Sequence, residues 1–153
     1  MSEYNTISTD QWQISLPSDW AHLPQPGQNP GQFYFESADA SKGAHLSVFT
    51  REDPNSSSLG DLAAWRNMEI ENLHAMPDSN WVILEEWQHD EAGTAISGSD
   101  CLDKVKNYRI LCLRMTQFPW LVRASLHDYD CRDYEASRRL FQPIMDSFSP
   151  VIE

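Results

Sequence analysis

Short apolar alternations, each cut off by a proline or glycine turn, limit what this chain can become. Trp12, Ile14 and Leu16 alternate with Gln13 and Ser15, the period of a half-buried strand. Pro17-Ser18-Asp19-Trp20 then turns the chain, and Pro24, Pro26, Gly27, Pro30 and Gly31 make 23–31 a loop. Further strands are expected with Phe33 and Phe35 on one face and with Ala44, Leu46 and Val48 on one face, joined through Asp39 to Gly43. Later strands fall at Trp81 to Trp87, Thr94 to Leu102, Val105 to Met115 and Leu121 to His127. His89 to Gly93 and Gln117-Phe118-Pro119-Trp120 are the turns between them.

Two segments carry a helical period instead. Leu59, Leu62, Arg66, Ile70 and Leu73 form one stripe, with Ser58 as N-cap, Asp61 in the first turn and Pro77 as the stop. Tyr134, Phe141, Ile144, Met145 and Phe148 form a second stripe. Asp130 is the expected cap there, with Asp133 in the first turn, and Pro143 is expected to kink or split the helix. The order is three strands, a helix, four strands and a helix. Short turns between consecutive strands imply a mostly antiparallel sheet of about six to seven strands sandwiched by helices, an α+β fold. The 153 residues fit one domain, residues 1–153, with 1–10 as a polar N-terminal tail.

The charge restricts partners. Eleven Lys+Arg against 23 Asp+Glu give −12, a field that repels nucleic-acid phosphates and anionic lipid heads and draws basic proteins. With 11% aromatic residues the chain is not a disordered acidic segment. The three cysteines, Cys101, Cys112 and Cys131, form no CxxC pair and read as free thiols in a reducing compartment. No basic, then apolar, leader opens the chain and no apolar run is long enough to span a bilayer, so a cytoplasmic location without membrane insertion is expected.

No catalytic constellation is legible. The cluster His127, Asp128, Asp130 and Cys131 lacks zinc spacing and a second ligand group. None of the five histidines flanks a nucleophile motif, and phosphate-cradling glycine motifs are missing. Glu85 and Glu86 are adjacent on a strand and point to opposite faces. The expectation is a protein without enzymatic activity, cofactor or metal.

Trp12-Gln13-Ile14-Ser15-Leu16-Pro17-Ser18-Asp19-Trp20 resembles the opening of the DcrB-like proteins of the PsbP-like fold superfamily. Gly43-Ala44-His45-Leu46-Ser47-Val48, the helix from Ser58, the hairpins from Trp81 to His127 and the closing Asp146-Ser147-Phe148 continue that resemblance. It implies an antiparallel sheet between helices and a mostly non-catalytic membership. Some similar proteins are Eag-type chaperones that hold hydrophobic segments of type VI secretion effectors. Others are envelope lipoproteins or bind a GTPase or a photosynthetic complex, and small acidic members resemble immunity proteins encoded beside secreted toxins. The resemblance carries over no functional residue.

The reading that follows is an immunity protein that binds and neutralises a cognate secreted toxin, with an Eag-like chaperone as the alternative and a homodimer compatible with either. Candidate partner-binding residues are Phe118 and Trp120, which bracket Pro119 at a hairpin tip, and the acids Asp128, Asp130, Asp133 and Glu135 at the start of the last helix. Because no complete ligand set is visible, EDTA is expected to leave the thermal midpoint unchanged. A drop reversed by zinc would contradict this.

Overall fold

The computed structural model describes residues 3–27, 30–50, 58–91, 94–117 and 119–150. The strands are β1 (Tyr4–Ser8), β2 (Trp12–Pro17), β3 (Ala21–His22), β4 (Gln32–Glu36), β5 (Lys42–Thr50), β6 (Trp81–Glu91), β7 (Thr94–Asp103), β8 (Tyr108–Gln117), β9 (Trp120–Asp128) and β10 (Ser149–Pro150). Helix α1 is Ser58–His74 and α2 is Tyr134–Ser147. A seven-stranded sheet runs β3-β4-β5-β9-β8-β7-β6, and a three-stranded sheet runs β1-β2-β10. Every pairing is antiparallel, in keeping with the α+β expectation.

The register assigns each strand residue to one of two faces. Phe35, Ala44, Leu46, Leu111, Leu113, Val122, Ala124 and Leu126 line one face. Packed against them lie Trp12, Ile14 and Leu16 of β2, Phe141, Ile144 and Met145 of α2, and Phe148 just beyond it, in one continuous core. The other face is covered in part by α1, where Ile70 joins Trp81 and Cys101 in a smaller cluster. Trp20 is buried in the main core, as its place after the Pro17 turn implies.

Several sequence expectations need correction. Tyr4–Ser8, read as tail, is β1; most of it is exposed, and pairing to β2 rather than burial holds it. Asp133, not Asp130, caps α2: its Oδ1 accepts the Ala136 N–H at 3.1 Å, while Asp130 pairs with Arg132. Pro143 does not split α2, which is continuous through it; Pro143 and Arg139, whose carbonyl loses its partner, are both exposed. In the 89–93 turn, β6 continues to Glu91, and residues 92 and 93 lie outside the described residues.

Gly98, inside β7, has a packing reason. A Cβ there would lie 2.1 Å from the indole of Trp87 on the neighbouring strand. Gly98→Ala must therefore expel that ring from the core edge. The expected loss is about 1–3 kcal/mol, the range for overpacking, read as a lower urea midpoint with unchanged m-value. An unaltered midpoint would show that the ring relaxes freely.

Candidate functional site

The face toward α1 is polar, and its polarity follows from register. Arg114 of β8 stands directly opposite Arg123 of β9, a like-charge pair that is unfavourable without a counter-ion. Glu69 of α1 provides one. Arg114 donates from Nη2 at 2.6 Å and Nε at 2.9 Å to Glu69 Oε2, and Arg123 Nε lies 2.6 Å from Oε1. The second contact is an ion pair whose N–H is not aimed along a hydrogen bond, so Arg123 Nε is buried without one among the described residues. Arg114 also donates to Ser97 Oγ at 3.3 Å and Ser99 Oγ at 2.9 Å, which explains how the polar strand β7 is buried.

Beside this triad lies an aromatic and histidine network. His127 contacts Ser125 Oγ through Nε2 at 2.7 Å and Tyr108 Oη through Nδ1 at 2.6 Å. His45 packs between Tyr34 and His127, at 4.5 and 4.7 Å between ring centroids. Tyr34 Oη donates to Glu36 Oε1 at 3.0 Å and lies 2.9 Å from Tyr129 Oη. Serine and histidine are thus within reach of one another, as a hydrolase requires. Ser125, however, is fully buried, and no substrate carbonyl can approach it.

Electrostatics point the same way. Desolvation, with the nearby Arg123 charge second, lowers His45 to about 4. His127 is lowered well below the usual range by burial, then by His45 and Arg123. Both rings are neutral at pH 7 and are weak bases there. Burial raises Cys101 to about 12 and also raises Cys112 and Cys131, so none of the three is a ready thiolate. Among the described residues no group of three or more His, Cys, Asp or Glu is placed to hold a metal ion.

The partner-binding residues expected from sequence scatter. Phe118 lies outside the described residues. Trp120 is half-buried and packs against the main core. Asp128 is only 2% exposed and pairs with Lys42 at 3.7 Å, so it is not a docking acid. It is internal because β9 places it opposite Arg109 and Lys42 at once. Asp130, Asp133 and Glu135 are exposed, but so are Arg132, Arg138 and Arg139 among them. Both signs therefore mix at the start of α2.

Another exposed feature was not read from the sequence. Among the described residues, strand β6 ends the seven-stranded sheet with its outer edge unpaired. Ile83 and Leu84 are exposed on it at 38% and 43%, followed by exposed Glu85, Glu86 and Asp90, and the strand contains no Lys or Arg. The register slips between Ile83 and Glu85. The run Ile83-Leu84-Glu85-Glu86 breaks alternation, and that break was the available signal.

Comparison with solved structures places this arrangement. The solution structure of cyanobacterial PsbP (CyanoP) from Synechocystis sp. PCC 6803 superposes with a TM-score of 0.71, covering 97% of this chain and 92% of that one at 16% identity. The fold is PsbP-like. A protein of unknown function from Pseudomonas aeruginosa is similar at a TM-score of 0.52 and 11% identity, covering 99% of both chains. No protein-family description and no curated protein sequence matches the chain. At these identities the likeness concerns the fold alone.

The buried histidines set an acid limit. An unfolded histidine takes its proton near 6.5 and folded His45 only near 4, so between those values the unfolded chain binds more protons. The His45 contribution to stability is complete above about 6.5 and is lost as pH falls toward about 4. His45 is faced by Tyr34, His127 and Arg123. His45→Gln should flatten the decline in thermal midpoint between about pH 6.5 and 4.5 relative to the parent. An equally steep decline would assign the effect to other groups.

Proposed function

We propose that this domain works by binding another protein, and that it is an immunity-type protein that neutralises a cognate secreted toxin. The single observation that carries the reading is the free β6 edge, with two exposed aliphatic side chains followed by acids and no cation on the strand. The occupant that fits is an extended, basic segment of the partner. It would add a strand through main-chain hydrogen bonds, seat an apolar side chain near Leu84, and place Lys or Arg against Glu85 and Asp90. A second copy of this chain would bring its own acids to the same edge, which disfavours a homodimer there. The net charge of −12 supports the same choice of partner.

A chaperone for hydrophobic effector segments is the second reading, favoured by the exposure of Ile83 and Leu84 themselves. Salt separates the two. Against a secreted toxin domain that it protects from when co-expressed, stopped-flow mixing should show an on-rate that falls about ten-fold or more between low and high ionic strength, with a smaller change in off-rate. Leu84→Lys, on an exposed edge, should keep the fold by circular dichroism and weaken the complex by about 1–3 kcal/mol in calorimetry. Salt-independent association that still needs Leu84 would promote the chaperone reading. A parent protein that does not bind that toxin would remove the immunity reading.

A further inference from the structure

The charges under α1 do not balance. Two guanidiniums, Arg114 and Arg123, face one carboxylate, Glu69, among the described residues; the Cys112 thiol also lies against Arg123, but burial holds it protonated. The neighbouring histidines do not alter that count, because both are held neutral at pH 7. A patch with one net positive charge thus sits between helix and sheet in a chain of net charge −12.

The surplus borders open space. Arg123 and its partner Glu69 line a cavity of about 290 Å³ together with His45, Ser47, Phe49 and Trp65. Arg123 Nε is buried against Glu69 Oε1 at 2.6 Å, while the side chain as a whole is 20% exposed, so a ligand would meet the outer edge of the guanidinium. At the mouth, Phe49 is 40% exposed and meets Trp65 edge-to-face at 5.6 Å. The cavity therefore combines a cation that shares its carboxylate with Arg114, neutral polar groups beside it, and an aromatic pair.

We propose that this cavity binds a small aromatic carboxylate, with the carboxylate on Arg123 and the ring against Trp65 and Phe49. The guanidinium edge suits a planar carboxylate, which it engages with two parallel hydrogen bonds. The volume accommodates one such ring and excludes a nucleotide or a peptide helix. This site faces α1 and does not depend on the β6 edge or on any protein partner.

The probe is benzoate, with benzamide as its uncharged isostere, titrated into the intact protein and followed by ¹H–¹⁵N chemical shifts of the Ser47 and Phe49 backbone amides, which every variant keeps. Benzoate should give saturable shifts and benzamide none. Arg123→Gln and Trp65→Leu should each weaken benzoate binding about ten-fold or more with an unchanged circular dichroism spectrum. Trp65 is only partly buried, so its variant keeps the test informative if Arg123→Gln fails to fold. Shifts that never saturate, equal response to benzamide, or parent-like binding by a folded Trp65→Leu would overturn the proposal. Displacement of benzoate by equimolar inorganic phosphate would show a site that reads charge alone, and would overturn its aromatic half.

Discussion

One carboxylate, Glu69 of the first helix, ties it to two neighbouring strands of the sheet at once. Helix α1 places few apolar side chains inward, chiefly Leu62 and Ile70, and leaves Ala63, Ala64 and Met68 in solvent. Its amphipathic stripe is too narrow to dock it by burial alone. Glu69 adds to this by bridging Arg114 and Arg123, with Arg66 on Glu86 of β6 and Trp65 against Phe49 of β5 beside it. Loss of that bridge would leave two opposed guanidiniums beneath a helix, a cost of about 3–5 kcal/mol for an uncompensated buried charge. The cavities along α1, the neutral histidines and the polar character of the face are arranged around this contact.

The opposite face uses the same device for a different purpose. Arg109, alternating with Leu111 and Leu113, enters the main core and grips Asp100 with Nε at 2.9 Å and Nη2 at 3.0 Å. Its Nη1 donates to Ser137 of α2 at 3.0 Å, and the Tyr134 ring stacks on it at 4.7 Å. Tyr134 donates in turn to Asp100 at 2.6 Å. The β7–β8 hairpin therefore carries acceptors on β7 and arginines on β8, pointing both ways. Helix α1 is keyed to that hairpin by the Glu69–Arg114 ion pair, and α2 by the hydrogen bonds of Ser137 and Tyr134 with the Arg109–Asp100 pair; such buried pairs fix position more than they add stability.

Elements whose burial alternates were legible in the sequence: β2, β4, β5, the β6–β9 meander and the stripe of α2. Those held by pairing alone were not. Tyr4–Ser8 has no buried face to betray it, and β3 and β10 have two residues each. The cap of α2 was ambiguous because Asp130 and Asp133 both precede the stripe, and only the Ala136 N–H decides between them. The site was less legible than the fold. Arginine on a strand reads as solvent-facing, yet Arg109, Arg114 and Asp128 are internal because partners from distant segments meet them there. Parity held the clue for Arg109, which shares its face with Leu111 and Leu113. Nothing local could point to Glu69, 45 residues before Arg114.

The three-stranded sheet has a consequence for synthesis. Strand β2 lies between β1 and β10, so Gln13 is bonded on one side to Ser8 and on the other to Ser149. Trp12, with no exposed surface, shares its core with Phe141, Ile144, Met145 and Phe148. A chain emerging from the ribosome can form the central meander while β2 still lacks its second neighbour and Trp12 its cover. Pairings of such long sequence separation are slow to form, and the apolar face they close stays uncovered during translation, when nascent chains are most prone to associate. The last strand is only two residues long, yet the first buried tryptophan waits for it.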